Sequence, residues 1–343
     1  MASLPLRAAE SATEQRLALG FDAHSLRAMN WKAQQSIDYA ASQHLDAVLF
    51  NTLKPFESLE PSYLRKMRAD AAARGVRIYL GVGSIAEGST FFSKDFGTAE
   101  ELLALGVRVA SDVGSSVLTC RIGGQPDRST PGGIQARGDE LVRTLRAVRS
   151  RAQDAEIKFA VEDHMGDLRS DELLSLIDRA GTDTTGVMLD PGNAVWAMED
   201  PMRQIELLGR HVLCTSVRDW MVWETPEGAT FQWTAIGEGL MDVPAFLGHL
   251  ARLCPAAPLN LEVISNSPRP IPFLQRDYWK AYPNLRAADL ADFLALCRRG
   301  RPLQVVKPPA GADAKAFERQ YQRAEFERSV AFLRRLGVGR QTV

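Results

Sequence analysis

Three apolar runs of this chain each end in a carboxylate residue. Glu162 ends the first of them and lies two residues before His164. Asp190 and Glu262 end two later runs of the same form. Carboxylates that share a buried site repel one another, so some hold protons or a cation neutralises them. Oxygen ligands beside an imidazole suit Mn²⁺ or Mg²⁺, with Co²⁺ and Zn²⁺ as alternatives. Such a cation stabilises an enediolate made from a keto-sugar while a carboxylate or a histidine moves the proton.

The same carboxylates have a second interpretation, in which arginines neutralise them and no metal is bound. Buried charges need partners of opposite sign. For Glu162 and Glu262 the chain offers three candidates, Arg121, Arg218 and Arg269. The residue types alone leave both interpretations open.

The chain alternates between short apolar runs and helical segments in eight successive units, from Leu17 to about Arg299. This alternation predicts a parallel sheet, and eight units that close on themselves form a (β/α)₈ TIM barrel. A doubly wound sheet is the alternative. It is disfavoured because Phe21-Asp-Ala-His24 follows the first strand, where a dinucleotide-binding fold has G-x-G-x-x-G. Four residues are predicted to cap helices, namely Asn30, Thr98, Ser170 and Asp313.

Three segments are expected from this pattern. Residues 1–16 predict a flexible N-terminal extension without the apolar core of a signal peptide. Residues 17–300 predict the barrel, and residues 301–343 predict a C-terminal helical extension. The last helix, from Lys315 to Leu336, has an apolar stripe that either packs on the barrel or joins a partner subunit of a homo-oligomer.

Composition argues against several classes of partner. The net charge is -1, so no electrostatic argument favours nucleic acid or an anionic membrane. No apolar run reaches the length of a membrane span. The four cysteines are scattered without a C-x-x-C pair, which is typical of reduced core cysteines and predicts a cytoplasmic protein.

In a TIM barrel the active site forms at the carboxyl ends of the strands. The polar side chains predicted there are Asp22, His24, Asn51, Arg121, Glu162, His164, Asp190, Asn193, Ser216, Arg218, Asp219 and Glu262. We expect catalysis from Glu162, His164 and Glu262. Substrate contacts are expected from His24, Arg121, Asn193 and Arg218, and from Trp223 in the aromatic loop after the seventh strand.

Each substrate contact has a plainer alternative. Arg121 and Arg218 clamp a substrate carboxylate or phosphate, or they pair with the acidic residues. Trp223 covers a sugar face, or it belongs to the core or an oligomer contact, as aromatic clusters more often do. Asn193 braces the turn after the sixth strand, and His24 lines the site or lies in an ordinary loop.

The strand-end motifs resemble those of the xylose isomerase-like barrel superfamily, the sugar phosphate isomerases and epimerases. In that family a glutamate ends strand five, an Asp-x-Gly-Asn motif ends strand six, a histidine precedes Lys/Arg-Asp after strand seven, and a glutamate ends strand eight. The matching segments are Glu162-Asp-His164, Asp190-Pro-Gly-Asn193, Val217-Arg218-Asp219 and Asn260-Leu-Glu262. The resemblance implies a divalent metal on Glu162, Asp190 and Glu262 and a carbohydrate substrate.

Three further segments are similar to the branch that contains 3-oxo-isoapionate decarboxylase. They are Trp223-Glu-Thr-Pro-Glu-Gly, Gly237-Glu-Gly and Arg299-Gly-Arg-Pro. Arginine-rich anion contacts would favour an acid substrate, and hence decarboxylation.

The chain departs from the family at Ser216, which stands where the metal-binding histidine of strand seven is expected. Serine is a poor neutral ligand beside imidazole. The metal persists on the three carboxylates and water, or His164 replaces the missing ligand, or the metal is lost.

Two classes of function follow from these alternatives. The first is a metal-dependent enzyme that isomerises, epimerises or decarboxylates a small sugar, keto-sugar or sugar acid through an enediolate. The second is a non-catalytic barrel subunit that lacks the metal because of Ser216. DNA-repair endonucleases of the same superfamily need more histidines and a basic face, neither of which this chain has.

Overall fold

A computed structural model describes residues 16–340. Eight of its strands form one parallel sheet, in the order β10-β1-β2-β3-β4-β5-β6-β7. The strands are β1 (Leu19–Asp22), β2 (Ala47–Phe50), β3 (Arg77–Ser84), β4 (Val117–Arg121), β5 (Lys158–Glu162), β6 (Thr185–Leu189), β7 (Val212–Thr215), β8 (Asp219–Thr225), β9 (Gly228–Thr234), β10 (Leu259–Leu261) and β11 (Arg269–Ile271). A parallel bridge between Val217 and Leu261 joins the two edges of the sheet. The predicted (β/α)₈ TIM barrel is therefore confirmed.

Helices surround the sheet and cover its outer face. They are α1 (Ala33–Ser42), α2 (Pro61–Ala73), α3 (Ala99–Val113), α4 (Gly133–Asp154), α5 (Ser170–Ala180), α6 (Pro191–Trp196), α7 (Pro201–Leu208), α8 (Val243–Leu253), α9 (Ala287–Arg299) and α10 (Ala314–Arg335). Within residues 16–340, no helix is both long and apolar enough to span a bilayer. The interior of the barrel is filled by small and medium apolar side chains, among them Ala47, Leu49, Ala160 and Met188. The filled interior leaves the rim as the place for a site.

Two of the four predicted caps are confirmed. The Thr98 hydroxyl accepts the Glu101 N–H, and the Asp313 carboxylate accepts two N–H groups of the first turn of α10. The prediction for Asn30 is wrong, because Asn30 adopts a left-handed conformation (φ 50°) that ends a short 3₁₀ helix before α1 begins. Ser170 is the first helical residue of α5, and Arg169 takes the cap position.

The prediction of an aromatic loop after β7 is wrong, because this segment forms a β-hairpin. Strands β8 and β9 pair in antiparallel register, and Trp220 lies opposite Trp233. Strand β11 adds a third strand on the other edge of β9. Alternating large apolar residues in this segment carry the period of two that a strand requires. The second sheet forms a wall beside the rim of the barrel.

The last helix packs on the barrel, which is the first of its two predicted alternatives. Phe326 of α10 contacts Phe21 of β1, with the ring centroids 5.3 Å apart. The Gln322 side chain accepts the Ala28 N–H at 2.9 Å, and Ser329 accepts the N–H of Ile236 at 3.1 Å. Except for Arg16, the predicted flexible extension over residues 1–16 lies outside the described residues.

Candidate active site

The three predicted carboxylates converge at the carboxyl-terminal rim of the barrel. Glu162 is the last residue of β5, Asp190 follows β6 directly, and Glu262 follows β10. One ligand oxygen from each residue lies within 4.8 Å of the other two, and all three residues are buried. Neighbouring parallel strands end at the same edge of the sheet, which is why residues so far apart along the chain meet here.

Arg218 lies among these carboxylates and is 2 % exposed. Its Nη2 atom donates to Oδ2 of Asp190 and also to Oε2 of Glu262. The guanidinium group stacks on the Trp233 ring, 4.2 Å from the centroid. Gly192 leaves room for this side chain, since a Cβ atom there would lie 2.1 Å from Cγ of Arg218. The arginine is thus held by charge on one side and by packing on the other.

Arg121 pairs with the remaining carboxylate of the triad. Its Nη1 atom lies 3.2 Å from Oε2 of Glu162. Burial raises the pKa of Glu162 to about 7, although the positive charge of Arg121 opposes this shift. A carboxyl group with that pKa exchanges a proton readily near neutral pH.

Asp190 and Glu262 differ in their proton affinity although both contact Arg218. Burial raises the pKa of Asp190 to about 8, against the charge of Arg218. Burial also disfavours the charged form of Glu262, but Arg218 and the groups around it outweigh that penalty and lower its pKa. The Ser216 hydroxyl donates to Oε2 of Glu262 at 2.7 Å and contributes to this effect. Glu262 therefore remains ionised.

Asp22 is a fourth buried carboxyl group at the rim, where the sequence placed it without assigning it a catalytic, substrate-binding or metal-binding role. Its Oδ2 atom accepts the Asn51 amide at 2.5 Å and lies 3.4 Å from the Ser216 hydroxyl. Burial and the nearby charge of Glu262 raise its pKa well above the ordinary value. The signal was present, because Asp22 ends β1 just as Glu162 ends β5.

His164 is neutral and partly buried. Its pKa is lowered by burial and by the positive charge of Arg121. Nδ1 contacts the Gly123 carbonyl oxygen, which can only accept, so Nδ1 carries the hydrogen. The other ring nitrogen, Nε2, is left as an acceptor that can take a proton. The main-chain N–H of His164 donates to Asp167 at 2.7 Å, which fixes the turn after β5.

A cleft of about 430 Å³ opens above these groups, a size that suits a small ligand. It is lined by both predicted histidines, His24 and His164, and by two of the triad carboxylates, Glu162 and Glu262. Four arginines also line it, namely Arg27, Arg121, Arg218 and Arg269. Among residues 16–340, Arg27 and Arg269 have no ion-pair partner. The sequence did not place Arg27 or Arg269 at the substrate.

Two predicted substrate contacts lie elsewhere. Trp223 is buried on β8 and does not line the cleft, whereas Trp233 on the paired strand does. Asn193 is buried below the rim, where its side-chain amide donates to Asp190 at 2.7 Å and to the main-chain oxygen of Asp163 at 2.9 Å. Asn193 therefore positions Asp190.

The carboxylate triad that the sequence predicted is present, but the arrangement does not fit a divalent metal. Metal–oxygen bonds of about 2.0–2.6 Å would bring a cation on Asp190 and Glu262 to the position that Nη2 of Arg218 takes. Ser216 supplies no imidazole, and its hydroxyl donates to Glu262. The proximity of the three carboxylates favours a metal, whereas the direct ion pairs oppose it. A cation that used Oδ2 of Asp190 and Oε2 of Glu262 would have to displace Arg218 from both.

Comparison with known proteins places the chain among related barrels. The sequence profile of the family described as xylose isomerase-like TIM barrel matches residues 37–281. The chain is 25% identical over 191 residues to 3-oxo-isoapionate decarboxylase of Pectobacterium atrosepticum. That match covers 55% of this chain and 62% of the enzyme, so it spans less than two thirds of the enzyme's length.

Two solved structures illustrate the likeness in fold. D-psicose 3-epimerase of Clostridium cellulolyticum, solved with D-tagatose, superposes with a TM-score of 0.55 at 13% identity, over 83% of this chain and 99% of the epimerase. The IOLI protein, solved with a bound zinc atom, gives a TM-score of 0.54 at 13% identity, over 84% and 100% of the two chains. At these identities the likeness shows the fold alone.

Proposed function

Since the chain belongs to the xylose isomerase-like TIM barrel family, we propose that it is an enzyme that isomerises or epimerises a small sugar, keto-sugar or sugar acid through an enediolate intermediate. The observation that carries this proposal is the pairing of Glu162 with Arg121 at the floor of the cleft. Burial raises the pKa of Glu162 to about 7. A base and a cation side by side suit the removal of a proton next to a carbonyl group, which leaves a negative charge on the carbonyl oxygen.

Each residue has a distinct role in this proposal. Glu162 takes the proton from the carbon beside the carbonyl, and guanidinium N–H groups of Arg121 and Arg218 stabilise the enediolate oxygens. For an isomer, Glu162 returns the proton to the neighbouring carbon while His164 passes the hydroxyl proton from one oxygen to the other. For an epimer, one of the two carriers takes the proton and the other, protonated beforehand, gives one to the opposite face of the same carbon. His164 is the second proton carrier, because its Nε2 atom is an acceptor at neutral pH.

Glu262 has a smaller part in proton transfer than the sequence predicts. Its Oε2 atom accepts hydrogen bonds from Ser216 and Arg218, and its pKa is lowered. A carboxylate held ionised by such donors is a weak base. We therefore assign Glu262 to the positioning of Arg218, together with Asp190.

Decarboxylation of a 3-oxo sugar acid is the second candidate. Arg27 and Arg269 line the cleft without ion-pair partners among residues 16–340, and unpaired cations there favour an anionic substrate. Loss of carbon dioxide from a 3-oxo acid leaves the same enolate-type anion, which the protonated form of Glu162 then protonates. The similarity to 3-oxo-isoapionate decarboxylase agrees with this candidate.

The family resemblance also implies a divalent metal, Mn²⁺ or Mg²⁺, on the triad. The proximity of the three carboxylates supports this version of the reaction. A metal on the triad would require Arg218 to leave Asp190 and Glu262. The cytoplasmic location and the carbohydrate partner stay predictions.

The proposal is tested with purified protein, a panel of keto-sugars and 3-oxo sugar acids, and D₂O as solvent. Proton NMR reports deuterium that enters the product, and ¹³C-labelled carboxylate reports release of carbon dioxide. Deuterium without carbon dioxide indicates isomerisation or epimerisation, and both together indicate decarboxylation. Glu162→Gln, prepared in the same way, excludes a contaminating enzyme. If neither signal arises from any substrate, the proposal fails.

A further inference from the structure

We propose that Arg218 takes the place of a divalent metal in this site, so that the protein supplies the positive charge of the triad from its own side chain. The inference deepens the proposed function, because it names the group that stabilises the anion. Its test does not require a substrate.

The hydrogen bonds of Arg218 are the first observation that supports this proposal. Nη2 donates to Asp190 and to Glu262 at the same time, through the oxygens Oδ2 and Oε2. A metal held by both residues would need an inner-sphere position between these oxygens. The nitrogen atom already lies there, so metal and guanidinium exclude each other.

The packing of the Arg218 side chain is the second observation that supports it. The guanidinium stacks on Trp233 at 4.2 Å, and its aliphatic part passes over Gly192, where a Cβ atom would lie 2.1 Å from Cγ. A side chain that is 2 % exposed and in contact on several sides is held in one place. The position is therefore built for the arginine and is not a chance contact of a mobile side chain.

Ser216, which directly follows β7, is the third observation that supports it. Ser216 stands where the family resemblance calls for a histidine ligand, and its hydroxyl donates to the same Glu262 oxygen that Arg218 contacts. The segment that lacks the metal-binding histidine thus supplies Arg218, two residues further on, as a cation within the site.

The positive charge of this site comes from two side chains. Four carboxyl groups share the site with two arginines, and these groups are Asp22, Glu162, Asp190, Glu262, Arg121 and Arg218. Arg218 contacts two of these carboxyl groups and Arg121 contacts a third, so side-chain cations already reach all three members of the triad.

Arg218 also keeps a donor for the substrate. Its Nε atom is buried and has no hydrogen-bond partner among residues 16–340. A buried donor without a partner is costly in a folded protein unless a ligand or water satisfies it. In a metal site the anion would coordinate the cation, whereas here it accepts hydrogen bonds from guanidinium N–H groups.

The test measures metal on the intact protein. After treatment with a chelator and its removal, Mn²⁺ binding is followed by electron paramagnetic resonance, and thermal unfolding is recorded with and without Mn²⁺. For wild type we expect no stoichiometric binding and no shift in Tm. One tightly bound equivalent of Mn²⁺ in wild type would overturn the inference, whether or not any sugar is turned over.

Two double variants test whether Arg218 is the group that excludes the metal. The double variant Ser216→His with Arg218→Ala restores the imidazole and removes the guanidinium, and we expect it to bind one equivalent of Mn²⁺ with a rise in Tm. Ser216→His with Arg218→Gln serves the same purpose if the alanine variant does not fold. If a folded double variant binds no Mn²⁺, then Arg218 is not what excludes the metal, and the inference is wrong.

Discussion

Arg121 and Glu162 lie opposite each other on neighbouring strands, and their side chains form an ion pair at 3.2 Å. The pair is a direct product of strand register, because β4 and β5 align Arg121 with Glu162 at their last residues. The register brings a cation to a carboxyl group that burial would otherwise keep protonated. Glu162 therefore titrates near neutral pH.

Removal of the Arg121 charge should raise the pKa of Glu162 further. In Arg121→Gln, desolvation and the charge of Glu262 raise the pKa of the carboxyl group against Arg218 alone, and we expect an upward shift of roughly one unit or more. The rising limb of the pH profile of kcat/KM should move by the same amount, because the base works in its deprotonated form. Arg121→Lys keeps the charge and should leave the limb close to its wild-type position. An unmoved limb in Arg121→Gln would show that another group is the base.

Glu162→Gln should lower kcat by about 10²–10⁴-fold, the usual contribution of a general base. The amide keeps the volume of the side chain but accepts no proton at neutral pH. Glu206→Gln, on the exposed face of α7, is the matched control and should retain full activity. Steady-state kinetics distinguishes the two, and equal activity in both variants would remove Glu162 from the mechanism.

Arg269→Gln should weaken the binding of an acid substrate and spare a neutral one. A hydrogen bond to a charged group contributes about 1.5–3 kcal/mol, so we expect KM for the sugar acid to rise about 10–100-fold. KM for a neutral keto-sugar should change little. Arg276→Gln, an exposed arginine outside the cleft, is the control. Equal losses for the neutral and the acid substrate would contradict a role in anion binding.

Asp219 should be important for stability because it holds the loop before α8. Its carboxylate accepts the main-chain N–H groups of Gly237, Gly239 and Met241. Asp219→Ala leaves these donors without their partner, and we expect the free energy of unfolding to fall by about 3 kcal/mol or more. Asp277→Ala, on an exposed turn, should change it by less than about 0.5 kcal/mol. Urea denaturation measures both, and a small loss in Asp219→Ala would mean that water replaces the carboxylate.

Removal of divalent metal should leave the reaction intact. With Arg218 on Asp190 and Glu262, we expect the same kcat before and after dialysis against a chelator. Assays with and without added Mn²⁺ or Mg²⁺ check this directly. Activity that disappears on chelation and returns with metal would restore the metal-dependent version of the reaction.

The convergence of the carboxylates could be predicted because it depends on a rule of the fold. Apolar runs that end in Glu162, Asp190 and Glu262 are visible in the sequence, and a parallel barrel brings such ends to one rim. The same rule placed Asp22 at this rim, but it did not show that Asp22 would lie beside Ser216 as a fourth buried carboxyl group. The rule identifies which residues meet, but it does not identify which oppositely charged groups they contact.

Pairing of Arg218 with the acidic residues was one of two predicted alternatives, but the choice between them, like the identity of the lining tryptophan, could not be predicted because it depends on side-chain packing. Arg218 reaches the triad only because Gly192 leaves space and Trp233 provides a flat face. Trp223 and Trp233 are both tryptophans of the segment after β7, and the sequence does not distinguish them. The folded hairpin places Trp233 at the cleft and Trp223 away from it. Asn30 likewise caps the carboxyl end of a 3₁₀ helix, whereas the sequence predicted that it would cap the start of α1.

The three-stranded sheet beside the rim has a consequence for how such a barrel diversifies. Strands β8 and β9 leave the barrel after β7, whereas β11 comes from the connection after β10, and β9 and β11 share one antiparallel ladder. The connection after β7 and the connection after β10 therefore form one structural unit, which contains Trp233 and Arg269. Transplanting both pieces together would exchange the specificity-determining wall and leave the proton-transfer machinery on β4 and β5 unchanged. Transplanting only one would leave an unpaired strand edge.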